Sequence, residues 1–179
     1  MTRPFETHPG HDGELHELHA ALQRRLDELL PVGDERDRVS SAMREGVLAP
    51  GKRIRPLLLI LAARDLGCDR DHPGLLDMAC AVEMVHTSSL ILDDIPCMDN
   101  AALRRGRPTI HRQYGEDVAI LAAVALLSSA FGVMVAAQGL SPECRSQAVE
   151  ELSMAVGTQG LVQGQYKDLR EGTAPRSAE

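Results

Sequence analysis

EMVHTSSLILDDIPCMDNAALRRGR, residues 83–107, sets three carboxylates (Asp93, Asp94, Asp99) a few positions from three guanidinium groups (Arg104, Arg105, Arg107). Folded side by side, such groups are costly unless a polycation and a polyanion come between them. Magnesium suits the first role, because it takes one or two protein carboxylates and completes its shell with phosphate oxygens. Diphosphate suits the second, because guanidinium forks match phosphate oxygens in pairs. The stretch therefore points to a magnesium–diphosphate site. An acidic helix end facing water is the simpler alternative, and a short motif is weak by itself.

Working outward, residues 73–95 read as one helix. Pro73 suits a first turn, and Leu75, Met78, Ala79, Val82, Val85 and Leu92 recur at helical spacing. Pro96 disfavours helix at Ile95, so the helix should end near Asp94. Asp93 and Asp94 then occupy its last turn, Asp99 returns from a short loop, and His86 lies two turns back on the same face. Carboxylates at a helix C-terminus meet the negative end of its dipole, a conflict that an incoming cation removes.

A second basic cluster, GKRIRP at 51–56, should open a helix ending near Gly67. Gly51 permits close backbone approach, and the free N–H groups behind it suit an anion. Lys52 and Arg55, three apart, should share a face, with Arg53 pointing elsewhere. A solvated charge run is the alternative. Two basic clusters and one acidic cluster suggest two diphosphate groups.

The remaining pattern is helical, with neither strand alternation nor internal repeat. Residues 13–30 place Leu15, Leu18, Leu22, Leu26 and Leu29 on a stripe ended by Pro31. Further helices are expected over 34–47, 115–139 and from Pro142 to about 170, the last interrupted or bent near Gly157 and Gly160. Residues 1–12 read as a polar arm before one domain; His8, His11, His16 and His19 belong to this mobile amino-terminal region. VAILAAVALLSSAFGVMVAA, 118–137, is uncharged and long enough to span a bilayer. Its alanines contribute little to insertion, so the expectation is a buried helix or a dimer interface rather than stable membrane insertion. The formal charge of −7 argues against a nucleic-acid partner. Cys68, Cys80, Cys97 and Cys144 lack CxxC spacing and read as reduced thiols, and the polar start MTRPFETHPGHDGE is no signal peptide; both suggest a cytoplasmic protein. Cys97, a soft donor inside the acidic motif, is a poor Mg²⁺ ligand and is expected to pack.

GKRIRP (51–56), EMVHTSSLILDDIPCMD (83–99), LRRGRPT (103–109) and GLVQGQYKDL (160–169), in this order, resemble trans-isoprenyl diphosphate synthases. The DDxxxxD spacing is similar to the bacterial type, and the wording to geranylgeranyl diphosphate synthases of carotenoid pathways. The resemblance implies an all-α isoprenoid-synthase bundle, homodimeric when complete, that condenses an allylic diphosphate with isopentenyl diphosphate. It assigns Lys52, Arg55, His86 and Arg105 to isopentenyl diphosphate, and Arg104 to the allylic diphosphate. Asp93 and Asp99 become the main Mg²⁺ ligands with Asp94 contributing, and Gln165 and Asp168 fall in the GQxxDL segment at the edge of the site. It also makes Ser88, with Ser89 beside it, the position where a bulky aromatic in the family stops growth at farnesyl length. A C20 product is therefore expected, with both serine hydroxyls bonded one turn back along the helix.

One departure matters. After residue 140 the acidic residues are Glu143, Glu150, Glu151, Asp168, Glu171 and Glu179, with no Asp-Asp pair, so the family's second aspartate-rich motif is missing. TAPRSAE, 173–179, reads as a loop between helices. The expectation is the amino-terminal half of such an enzyme, its catalysis in question without the other half. A class I terpene cyclase, which has one diphosphate to bind and no need of both GKRIRP and LRRGR, and a non-catalytic partner of a full-length synthase are the competing readings.

Overall fold

The computed structural model describes residues 9–34, 36–69 and 72–171. The first eight residues of the expected arm and the TAPRSAE loop lie outside the described residues. The chain divides into two units, residues 1–139 and 140–179.

In the first unit, α1 (Pro9–Leu29) starts four residues earlier than its leucine stripe suggests. Leu18, Leu22, Leu26 and Leu30 are buried at four-residue spacing, while Leu15 is exposed. Arg25 pins this helix to the next layer, donating from Nε to Asp77 Oδ1 at 2.7 Å. The second helix, α2 (Arg38–Leu48), begins later than expected. The Asp34 carboxylate accepts from the backbone N–H of Arg36 and Asp37, holding those residues in a turn. Asp37 then caps the helix through Ser40 N–H.

α3 spans Ile54–Asp65 and α4 Pro73–Asp93. The proline at the start of α4 and Pro96 beyond its end act as the sequence suggests, and Asp94 is the C-cap. Buried from Gly74 to Ile91 on several faces, α4 is the central helix, packed against α1, α2, α3 and α6. Gly46 lets α2 approach it: a Cβ there would lie 3.2 Å from both Ile91 Cδ1 and Thr87 Cγ2.

Two departures from the expected pattern follow α4. LRRGRP forms a hairpin, β1 (Leu103–Arg104) against β2 (Arg107–Pro108), where no strand was expected. Arg105 and Gly106 fill the turn with φ of 53° and 79°, the positive pair that a two-residue hairpin with native twist demands. The expected 115–139 helix is also preceded by a short one. Gly115, at φ 100°, separates α5 (Ile110–Tyr114) from α6 (Glu116–Ala136). One face of α6, Ala119, Ala122, Ala123, Leu126, Ala130 and Met134, is buried, and α4 is its main partner. Ile120, Leu121, Val124 and Val135 are exposed. Both α4 and α6 are long and apolar enough to cross a membrane; two thirds of the most apolar stretch of α4 is buried, against one third for α6.

The second unit holds α7 (Pro142–Val156) and α8 (Leu161–Glu171). Ser141 caps α7 by accepting from Cys144 N–H. Of the two alternatives expected near Gly157 and Gly160, interruption is the one observed. A Cβ on Gly160 would sit 2.0 Å from Ala155 O, so the turn admits no side chain.

All four cysteines are free. Cys97 is exposed rather than packed, because it lies in the turn beyond α4. Cys80 is buried, and desolvation above all pushes its thiol up to about 12.

Candidate functional site

The last turn of α4 and the hairpin build the acidic half of the site. Asp99 N–H donates to Asp93 O at 2.9 Å and Asn100 N–H to Ile95 O at 3.1 Å, so the loop folds back on the helix end as expected. Asp94 is turned inward and only 4% exposed. Arg104 grips it with a two-pronged bond, Nε to Oδ2 at 2.8 Å and Nη2 to Oδ1 at 2.7 Å. The side-chain bond to Asp94 is the main influence raising the Arg104 pKa; burial opposes it, and the charges of Asp94, Asp93 and Asp99 add to it.

This arrangement revises two expectations. The conflict of a carboxylate with the helix C-terminus is relieved at Asp94 by a guanidinium, which donates to both oxygens of that carboxylate. Arg107 is also engaged, donating to Glu45 Oε1 on α2. Among the described residues no three His, Cys, Asp or Glu side chains gather closely enough to hold a metal by themselves. Asp93, half-buried, and Asp99, exposed, are the other two carboxylates at the helix end. Such a donor set fits Mg²⁺, which needs only one or two carboxylates when phosphate supplies the rest.

The basic half lies at the start of α3. Arg53 takes a left-handed conformation (φ 49°, ψ 36°) and the helix proper starts at Ile54. Lys52 therefore precedes the helix, and the shared helical face expected for Lys52 and Arg55 does not exist; both are exposed. Arg55 Nη1 lies 3.2 Å from His86 Nε2. With arginine as donor, the imidazole accepts at Nε2 and carries its proton on Nδ1. Burial, first, and the positive field of Arg55 hold His86 below the ordinary histidine pKa, with Glu83 opposing and Arg105 and Arg104 adding to the depression.

The two basic clusters meet in space. A Cβ on Gly51 would lie 2.5 Å from Arg105 Nη1, and that nitrogen donates to Pro50 O at 3.3 Å. Only glycine leaves room for the guanidinium to rest on the 50–51 backbone. Arg55, His86 and Arg105 thus converge from α3, α4 and the hairpin turn. His86 and Arg105 also line a cavity of about 150 Å³ whose walls include Gly46, Leu90, Ile91, Arg53 and Glu83.

Several participants were missed by the sequence reading. His19 Nε2 contacts Gly51 O at 3.0 Å, a role hidden by its place in a histidine-rich start. Arg53 and Glu83 form a buried ion pair at 2.5 Å. The one available signal was the misfit of a glutamate within the apolar run of α4.

The two serines differ. Ser89 Oγ donates to His86 O at 2.9 Å, back along its own helix as expected. Ser88 Oγ instead crosses to Ala123 O on α6 at 2.8 Å and is buried. Gln165 and Asp168 both lie on α8 in the second unit, the first half-buried and the second exposed.

The His86 shift has a pH consequence. An imidazole held below 6.5 leaves the unfolded chain with the greater proton uptake just below that value, so stability falls as pH drops from 6.5 toward the depressed value. His86→Asn should flatten this part of the profile, checked by thermal melts across that interval; an unchanged slope would remove His86 as its source.

A family model described as polyprenyl synthetase matches residues 36–178. The chain belongs to the polyprenyl synthetase family. Among its polyprenyl synthetase relatives are geranylgeranyl diphosphate synthases of Pantoea ananas, 71% identical over 163 residues, and of Pseudescherichia vulneris, 58% identical over 164. These matches cover 91% and 92% of this chain, but 54% and 53% of the relatives. The chain thus spans about half the length of the curated relatives it matches. Among solved structures, an FPP/GFPP synthase of Zymomonas mobilis superposes with a TM-score of 0.85 at 35% identity, over 94% of this chain and 60% of that one. The geranyltranstransferase of Thermotoga maritima gives 0.77 at 36% identity, over 93% and 58%. The all-α polyprenyl synthetase fold expected from the four motifs is the fold observed.

Proposed function

We propose that this chain carries the site of a prenyltransferase that joins isopentenyl diphosphate to an allylic diphosphate, with geranylgeranyl diphosphate as product. The single observation that carries the reading is the meeting of the two basic clusters across Gly51, opposite the Asp93–Asp99 helix end. One diphosphate then lies against Lys52, Arg55, His86 and Arg105, and the other between Arg104 and the carboxylates. Names of the relatives support the substrate class and the C20 product.

When bound, Mg²⁺ supplies Lewis-acid assistance to departure of the allylic diphosphate. Asp93 and Asp99 would hold it. Arg104, anchored by Asp94, faces the charge that grows on the leaving group, while Lys52, Arg55 and Arg105 fix the isopentenyl partner so that its double bond meets the allylic carbon. The condensation forms one carbon–carbon bond, expels diphosphate and releases a proton, for which the departing diphosphate is the acceptor. Neutral His86 orients Arg55 and takes no part in that transfer.

Homodimer formation through the exposed side of α6, a cytoplasmic location and the absence of nucleic-acid binding and of stable membrane insertion belong to the same proposal. The net charge of −7 argues against nucleic acid, and the packing of α6 on α4 against insertion.

Cys97 offers a direct test. Being exposed in the acidic loop, it should react rapidly with a thiol reagent, and Mg²⁺ with geranyl diphosphate should protect it but not exposed Cys144. Equal protection of both, or of neither, would remove the acidic loop from the diphosphate site. Isopentenyl diphosphate consumption, measured in a protein of the relatives' full length, tests the reaction itself.

The Ser88 bond alters the expected chain-length experiment. A phenylalanine there must enter the alanine-lined contact between α4 and α6, so Ser88→Phe should shorten the product to C15 and also destabilise the fold by about 1–3 kcal/mol. Product analysis together with thermal melting checks both; a C20 product from a destabilised variant would place the stop elsewhere.

A further inference from the structure

Arg53 and Glu83 are charged, buried and absent from every phosphate contact assigned above. Each is 5% exposed. Arg53 Nη1 donates to Glu83 Oε1 at 2.5 Å, and Nη2 reaches Val47 O at 2.5 Å, Ala49 O at 2.9 Å and Gln23 Oε1 at 3.2 Å. One guanidinium therefore ties α1, the carbonyl end of α2, the start of α3 and the middle of α4. It does so from a left-handed backbone conformation that non-glycine residues seldom adopt.

Every member of the isopentenyl diphosphate clamp is set relative to this group. Lys52 is its neighbour, and Arg55 lies in the helical turn that it opens. His86 is one turn on from Glu83. Arg105 rests on Pro50 and Gly51, which follow directly on the Ala49 carbonyl that Arg53 holds. Folding alone does not require such an arrangement, since a buried ion pair is often replaced by apolar groups without loss of stability. The left-handed turn separates the directions taken by Lys52 and Arg55, and the ion pair fixes that turn on α4.

We propose that Arg53, fastened by Glu83, is the positioning residue of the isopentenyl diphosphate clamp: it sets the register of Lys52, Arg55 and Arg105 against His86 without touching substrate. This rests on the diphosphate reading above. It separates the two substrates, because Arg104 is held by a different anchor, Asp94.

The test is calorimetric binding of isopentenyl diphosphate without Mg²⁺, and of geranyl diphosphate with Mg²⁺, to the chain and to the double variant Arg53→Met/Glu83→Leu. The apolar pair should keep helicity and a cooperative melt, lowered by the freed Val47 and Ala49 carbonyls, while isopentenyl diphosphate affinity falls about tenfold or more and geranyl diphosphate affinity stays within about twofold. A folded double variant with unchanged isopentenyl diphosphate affinity overturns the proposal, as does equal loss of both ligands. Should that variant not fold, Glu83→Asp decides. It keeps the charge and shortens the tether by one methylene, and must weaken isopentenyl diphosphate selectively; no change, or equal weakening of both ligands, overturns the proposal. If the unsubstituted chain binds no isopentenyl diphosphate at all, the site reading fails first and this inference falls with it.

Discussion

Asp93→Ala is expected to remove Mg²⁺-dependent binding of an allylic diphosphate while leaving the helical fold and its melting temperature intact. Asp94 is already committed to Arg104 through both oxygens, so it offers no ready replacement. Asp99 would be left as a single carboxylate on an exposed loop. Loss of a group that merely orients a metal ligand commonly lowers activity by 10- to 100-fold; removing a ligand outright should lower turnover by about a hundredfold or more in a protein of the relatives' full length. Asp94→Ala makes the contrast. It deprives Arg104 of its buried partner, so it should lower the melting temperature as well as allylic binding, whatever the Mg²⁺ concentration. Titrating Mg²⁺ against geranyl diphosphate binding in both variants separates the roles. Near-normal binding by Asp93→Ala at saturating Mg²⁺ would sink the metal assignment.

The second large effect is on stability. Arg53→Ala should cost about 3–5 kcal/mol, because it strands the Glu83 carboxylate in a buried site and leaves the Val47 and Ala49 carbonyls without their donor. Relief of the left-handed backbone offsets little of this, since alanine dislikes that conformation too. Urea unfolding monitored by circular dichroism measures it. Glu83→Ala should be comparably damaging. A loss below about 1 kcal/mol in both variants would mean that water reaches the pair and screens it.

What the sequence made legible were features with local causes. Pro73, Pro96 and Pro142 mark helix boundaries because proline lacks an N–H and restricts the residue before it. The return of Asp99 toward Asp93 follows from the same proline. The hairpin was hidden because its turn is Arg105–Gly106, and arginine at positive φ is rare enough that RRGR reads as a charge run. The short α5 went unread because IHRQY, five residues ended by Gly115, is too brief to display a helical period. The placement of candidate site residues was legible where the side chain stays near its own segment, as for Asp93 and Asp99 at the helix end. It was illegible where a partner comes from far along the chain. Arg53 meets Glu83 across 30 residues, Arg107 meets Glu45 across 62, and Ser88 finds a carbonyl 35 residues away. No periodicity records such pairings, and each changed the meaning of a residue that looked solvated or self-satisfied.

The seating of Arg105 over Gly51 has a consequence for how fast a ligand arrives. The guanidinium is placed before any anion comes, so a fixed patch of positive potential stands on a molecule whose net charge is −7. Most of the surface repels a diphosphate while this patch draws it in, and encounters are steered rather than random. The association rate constant should therefore fall steeply with added salt. The dissociation rate constant, set by short contacts formed after docking, should hardly move.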